Sequence, residues 1–157
     1  MTEQGPHQQE LLELYKLHAE LADRVSQRRE GANRLYVTIL TGLLVANAAI
    51  IRWGGPDVLE FIPIILIMAG SLGVGLSASW YVIIRSYRQL NTGKFAALDE
   101  LESKLAFPFF RREWELLEQG KSFRRYWKLT TAETTLPVLF GFAYLAIALY
   151  GLVLFLR

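Results

Sequence analysis

FIPIILIMAGSLGVGLSASWYVIIRSYRQLNTGKF, residues 61–95, decides the fold. Its first 24 positions carry no charge, and Arg85, Arg88 and Lys94 then follow in quick succession. As an α-helix, an uncharged run of this length covers the hydrocarbon core of a bilayer. Basic side chains just past its end are what a helix leaving lipid offers to headgroups. Asn91-Thr92-Gly93 adds a turn signal beyond that exit. The stretch therefore reads as a membrane exit before it reads as an active face. Within the span Ala69, Gly73 and Ser77 recur four apart and Gly70 adjoins them. Such small residues let helices approach closely in lipid, where no hydrophobic drive brings helices together.

Working outward, two further uncharged blocks appear. Residues 35–51, LYVTILTGLLVANAAII, give 17 positions bracketed by Arg34 and Arg52, at the short end for a span. Asn47 in this block favours a helix–helix contact over acyl chains. Residues 134–156, TTLPVLFGFAYLAIALYGLVLFL, give 23. Pro137 sits in its first turns or kinks a helix that starts earlier. Between the first two blocks, RWGGPDVLE (52–60) reads as a turn with Trp53 at an interface, and Pro63 lies near the start of the second span.

The segment before the first span is helical in pattern. Leu11, Leu14, Tyr15, His18, Leu21, Ala22 and Val25 recur at three- and four-residue spacings, with acids opposite. In it Gly31 relaxes or ends the helix, or the chain continues through it. Residues 85–135 are polar but structured: KFAALDELESKL is helical with Phe95, Leu98, Leu101 and Leu105 on one face, and Pro108 breaks the run. REWELLEQGK offers a short helix closing near Gly120, and Thr130 with Glu133 has capping-box spacing.

The predicted fold is all-α: a polytopic helical membrane protein with three transmembrane helices and a small helical cytoplasmic region. Its parts are an amphipathic cytoplasmic helix (1–34), a transmembrane hairpin (35–84), a cytoplasmic helical segment (85–133) and a third span with the C-terminus (134–157). Of 17 Lys and Arg residues, all but Arg52 and Arg157 fall before the first span or between the second and third. The positive-inside rule then places the N-terminus and residues 85–133 in the cytoplasm and the C-terminus outside. Residues 1–10 carry no basic start of the kind a cleavable signal peptide needs.

Chemistry is sparse. There are no cysteines, so thiolate catalysis and Cys-based metal sites are excluded. The two histidines, His7 and His18, form no metal motif, and His18 lies on the apolar side of its helix as a packing residue. GSLGVG (70–75) lacks the Lys and Ser/Thr of a phosphate loop and lies inside a span, where its glycines serve packing. Asp99 with Glu102, and Glu113, Glu115 and Glu118, are carboxylates at helical spacing, an arrangement solvated helix faces produce constantly. KSFRRYWK (121–128) mixes cations and aromatics, but its place just before a span favours headgroups or packing over nucleic acid. No span holds an ionisable side chain other than tyrosine, which argues against an ion-coupled transporter but leaves open a multi-copy pore. No cofactor, metal or catalytic residue is assigned.

In combination, YKLHAELADRVSQRREGANR (15–34), WYVIIRSYRQLNTGKFAALDELE (80–102) and FFRREWELLEQGKSFRRYWKLTTAE (109–133) resemble the RipA-like octameric bacterial inner-membrane protein family. More loosely, the chain resembles SLATT-type membrane effectors of nucleotide-sensing defence systems. The first resemblance implies a cytoplasm-facing homo-octamer in the inner membrane, with matching positions at Asp23, Arg24, Arg28, Asn33, Arg85, Ser86, Tyr87, Arg88, Leu90, Asn91, Trp114 and Glu115. It brings no reaction with it. The second implies a pore-forming or membrane-disrupting effector dependent on a partner.

From the residues themselves, a polar collar is expected at the cytoplasmic membrane edge: Asp23, Arg24, Arg28, Asn33, Arg85, Arg88, Asn91 and Glu115. Groups of this kind lock neighbouring helices or subunits when well paired. The expected function is an oligomeric inner-membrane platform, its partners being further copies of itself, membrane lipids and an unidentified cytoplasmic protein. The alternatives are the membrane-disrupting effector and a membrane enzyme acting on lipid through the cytoplasmic carboxylates.

Overall fold

A computed structural model describes residues 4–105, 109–116 and 129–157. Every element among them is helical: α1 (Gln4–Trp53), α2 (Pro56–Glu102), α3 (Phe109–Leu116) and α4 (Leu129–Phe155). Three of these are long and apolar enough to cross a membrane, with best-window mean hydropathies of 1.7, 2.1 and 2.3 along the chain. The three expected spans are therefore present, carried by α1, α2 and α4.

Helix boundaries depart from the pattern reading: α2 ends at Glu102, short of Leu105, and α4 starts at Leu129, ahead of the Thr130 cap. The turn expected over 52–60 contracts to Gly54-Gly55, with α2 starting at Pro56. Pro63 therefore lies inside a helix and leaves the Leu59 carbonyl without its usual amide partner. The Asn91-Thr92-Gly93 turn signal is overridden, because α2 runs through it to Glu102. A helical glycine costs about 1 kcal/mol relative to alanine. That deficit is outweighed here by packing on both sides, with Ile84 and Leu98 both buried. Gly31 is likewise passed without a break. Pro137 is interior to α4, which starts eight residues earlier, and it is fully buried. Gly120, Pro108 and the KSFRRYWK run lie outside the described residues.

The chain divides into two compact units. Unit 1 comprises residues 1–29 and 86–131, and unit 2 comprises 30–85 and 132–157.

In unit 1, the α1 and α2 segments pair antiparallel. Tyr15 meets Glu102 and Ser26 meets Asn91, an eleven-residue step along each helix that keeps the two in register for three turns. Ala22, Val25 and Leu98 are buried, and Phe95 and Tyr15 both pack against Phe110 of α3.

In unit 2, α2 and α4 pack antiparallel along a seam of small residues. A Cβ added at Gly70 would lie 2.6 Å from the Ala148 backbone, and one at Gly151 would lie 2.8 Å from the Leu66 side chain and 2.9 Å from the Pro63 carbonyl. A Cβ at Gly73 would fall inside the Tyr144 ring. Ser77 is buried on the same seam, facing Gly141, and its hydroxyl donates to the Gly73 carbonyl at 2.8 Å, which satisfies it within its own helix. Ala69 sits beside this line, half-buried. Asn47 is buried and donates to the Leu43 carbonyl at 2.8 Å, so its amide is satisfied within α1.

Candidate functional site

Phe95, Leu98 and Glu102 stand three and four residues apart, so Glu102 shares the apolar face of α2 in unit 1. It is 1 % exposed. The solvated helix face expected for the Asp99 and Glu102 pair holds only for Asp99, which is exposed. A buried carboxylate is tolerated when its oxygens are hydrogen-bonded, and those of Glu102 are. Oε1 accepts from the Tyr15 hydroxyl at 2.8 Å and from the Phe110 amide at 2.7 Å, and Oε2 accepts from the Arg111 amide at 3.1 Å.

Two of these donors are first-turn amides of α3, which have no partner inside that helix. Glu102 thus supplies from another helix what an N-cap residue supplies locally, with its negative charge at the positive end of the α3 dipole. One side chain of α2 ties down α1 and α3 together. Burial, the hydrogen bond to Glu102 and that carboxylate's charge push the Tyr15 phenol up to about 12, so it stays protonated and keeps donating. Ring contacts from Tyr15 and Phe95 to Phe110, with centroids 6.1 and 5.9 Å apart, close the cluster.

The centre of unit 2 is Trp80, fully buried with Leu40, Ile84 and Tyr144. Its indole stacks on Tyr36 of α1, centroids 5.8 Å apart and planes 1° from parallel, and tilts against Phe140 of α4 at 6.1 Å. Its Nε1–H donates to Asn33 Oδ1 at 2.9 Å. Tyr144 of α4 donates its hydroxyl to the Leu40 carbonyl at 2.5 Å. Each buried aromatic polar tip therefore has a partner on α1, where an unpaired one would be costly.

The eight collar residues have separate engagements. In unit 1, Arg24 pairs with Glu20 at 2.7 Å, Asp23 accepts from Gln27 at 2.9 Å, Glu115 pairs with Arg112 at 3.2 Å, and Asn91 reaches Ser26 at 3.5 Å. Arg28 and Arg88 are exposed, and among the described residues neither makes an ion pair. In unit 2, Asn33 holds Trp80, and the Arg85 guanidinium carbon lies 5.9 Å from the Tyr81 ring centroid. Exposed pairs such as Arg24–Glu20 contribute little to stability. Among the described residues, no three His, Asp or Glu side chains gather as metal ligands would.

These features are set within a matched family pattern: the model of the octameric membrane protein family (8xMP) matches residues 12–153. The chain belongs to the octameric membrane protein family. No curated protein and no solved structure matches the chain. The family match takes in the Glu102 clamp, the Trp80 hub and all eight collar positions.

Glu102 and Trp80 are the residues that sequence reasoning undervalued. The signal for Glu102 was its seven-residue step from Phe95, which puts it on the face that also holds Leu98. For Trp80 it was the pairing of a lone indole donor in an uncharged block with Asn33, a side-chain acceptor on the helix that precedes the first block.

Proposed function

We propose that this chain assembles as a homo-octamer in a bacterial inner membrane, with its N-terminus and residues 85–133 in the cytoplasm and its C-terminus outside. There it forms a non-catalytic platform for a cytoplasmic partner. The observation carrying this reading is the match to an octameric membrane protein family over residues 12–153. Supporting it, the spans leave most of their apolar surface uncovered within one chain: only 11 %, 28 % and 11 % of the three best windows is buried. The basic residues retained between the second and third spans support the orientation. The exposed collar members of unit 1, Asp23, Arg24, Arg28, Arg88 and Glu115, carry both signs of charge, which supports docking of like subunits side by side. Glu102 serves this reading by fixing α3 as part of a rigid surface.

Native mass spectrometry of the full chain released from mild detergent tests the assembly. Eight copies of 17.9 kDa give about 143 kDa. A strictly monomeric particle across several detergents overturns the proposal.

A second reading, a conducting pore, is favoured by Thr41, Ser71 and Ser79, polar residues exposed on the surfaces of spans. Dye release from vesicles carrying the assembled protein supports it; sealed vesicles across pH and voltage oppose it.

A further inference from the structure

Unit 2 carries an apolar groove of about 400 Å³ between α2 and α4. Ser77, Ala78 and Tyr81 form one wall, and Pro137, Gly141 and Leu145 the other. The Ser77 hydroxyl is turned to the Gly73 carbonyl, so it presents no unmet hydrogen bond to an occupant. Tyr81 in the wall carries the Arg85 guanidinium over its ring at 5.9 Å. Arg85 is exposed, is the first charge after the 24 uncharged positions, and among the described residues pairs with no carboxylate. An open apolar groove and a cation that pairs with no carboxylate among the described residues, one helical turn apart, thus share a single residue, Tyr81.

We infer that this groove binds one anionic phospholipid per chain, an acyl chain lying between α2 and α4 and the headgroup phosphate meeting Arg85. Charge complementarity selects this occupant. Arginine matches a phosphate with two parallel hydrogen bonds, and a membrane surface supplies anionic headgroups at that depth. The uncharged block of a second copy fills the apolar space but holds no acid for Arg85, and Glu133, which borders the third block, already has an interaction within its own chain. Free phosphate meets Arg85 but leaves the groove empty. A phospholipid satisfies both ends with one molecule.

The test is native mass spectrometry of the full chain in mild detergent, titrated with phosphatidylglycerol, phosphatidylcholine or inorganic phosphate. The expected result is one retained phosphatidylglycerol per chain that millimolar inorganic phosphate does not displace. Arg85→Gln is expected to weaken phosphatidylglycerol about fivefold and leave phosphatidylcholine unchanged, since one surface arginine gives roughly that factor. Ala78→Phe fills the groove from an exposed position and is expected to remove retained lipid of both kinds. Val138→Trp does the same from the opposite wall should Ala78→Phe lose helical content. Unchanged lipid retention in Arg85→Gln and in a folded groove-filling variant overturns the site. So does displacement by inorganic phosphate, or a groove-filling variant that keeps its lipid but loses assembly mass, which would assign the groove to a second copy. The spectra report assembly mass separately, so the lipid site and the octamer fail independently.

Discussion

Replacing Glu102 with alanine removes three acceptor contacts from a residue that is 1 % exposed. Two of the orphaned donors are the Phe110 and Arg111 amides. Arg111 is exposed, so water repairs part of that loss, and the cost resembles loss of an N-cap, about 0.5–2 kcal/mol. The Tyr15 hydroxyl is half-buried, and stripping it of a charged acceptor costs about 1.5–3 kcal/mol. Together the expected loss is about 2–5 kcal/mol, centred on the cluster that joins α3 to Tyr15 and Glu102. Since 1.4 kcal/mol is tenfold in an equilibrium, amide protection in 109–116 should fall roughly 30- to 4000-fold. Hydrogen–deuterium exchange read by mass spectrometry on the detergent-solubilised chain measures this directly. Protection within 134–156 should be unchanged, because that block belongs to unit 2. Exchange in 109–116 that matches wild type would refute the clamp, and equal loss throughout the chain would show that Glu102 governs global folding.

Three more outcomes follow from the same contacts. Gly73→Leu drives a side chain into the Tyr144 ring and should destabilise the α2–α4 seam by about 1–3 kcal/mol or more, read as a lower melting temperature in detergent; Gly75→Leu, where an added Cβ meets nothing within 4 Å, is the control that should leave it unchanged. Trp80→Phe keeps a ring beside Tyr36 but deletes the donor to Asn33, so about 1–3 kcal/mol should be lost; a double-mutant cycle with Asn33→Leu should recover part of it, and strict additivity would deny the bond. Because Tyr15 is pushed up to about 12 from 10, the folded chain holds a proton there that the unfolded chain releases. Its stabilising effect is full below pH 10 and is lost as pH rises towards 12. Exchange protection in 109–116 should fall over that window in wild type and stay flat through it in Tyr15→Phe.

The spans were legible because lipid imposes a constraint that composition alone can meet: three uncharged blocks of sufficient length. Helix ends were less legible. Asn91-Thr92-Gly93 carries a local turn preference of about 1 kcal/mol, and tertiary packing around Leu98 outweighs it. Glu102 was hidden by residue type, since a glutamate beside Asp99 and Glu100 looks like solvated surface until its step from Phe95 and Leu98 is counted. Trp80 was visible as an aromatic in a span, but its central place requires Tyr36, Leu40, Phe140 and Tyr144 to converge from two other helices, and sequence separation conceals that. The four-residue period picks out Ala69, Gly73 and Ser77 with Gly70 beside them, whereas the close contacts fall at Gly70, Gly73 and Ser77, and no period points to Tyr144, Ala148 and Gly151 opposite them.

The most direct test of membrane residence uses the absence of native cysteine. Single cysteines at Val45, Leu72 and Phe142, which are 63 %, 56 % and 67 % exposed in the isolated chain, can each carry a nitroxide in reconstituted vesicles. Collision rates with dissolved oxygen and with a water-soluble nickel chelate then report the surroundings of each site. Frequent oxygen collisions with few nickel collisions at all three sites is the expected result, with the reverse at Lys104. Nickel collisions at Val45, Leu72 and Phe142 as frequent as at Lys104 would mean that these faces meet water, and the three-span fold would be wrong.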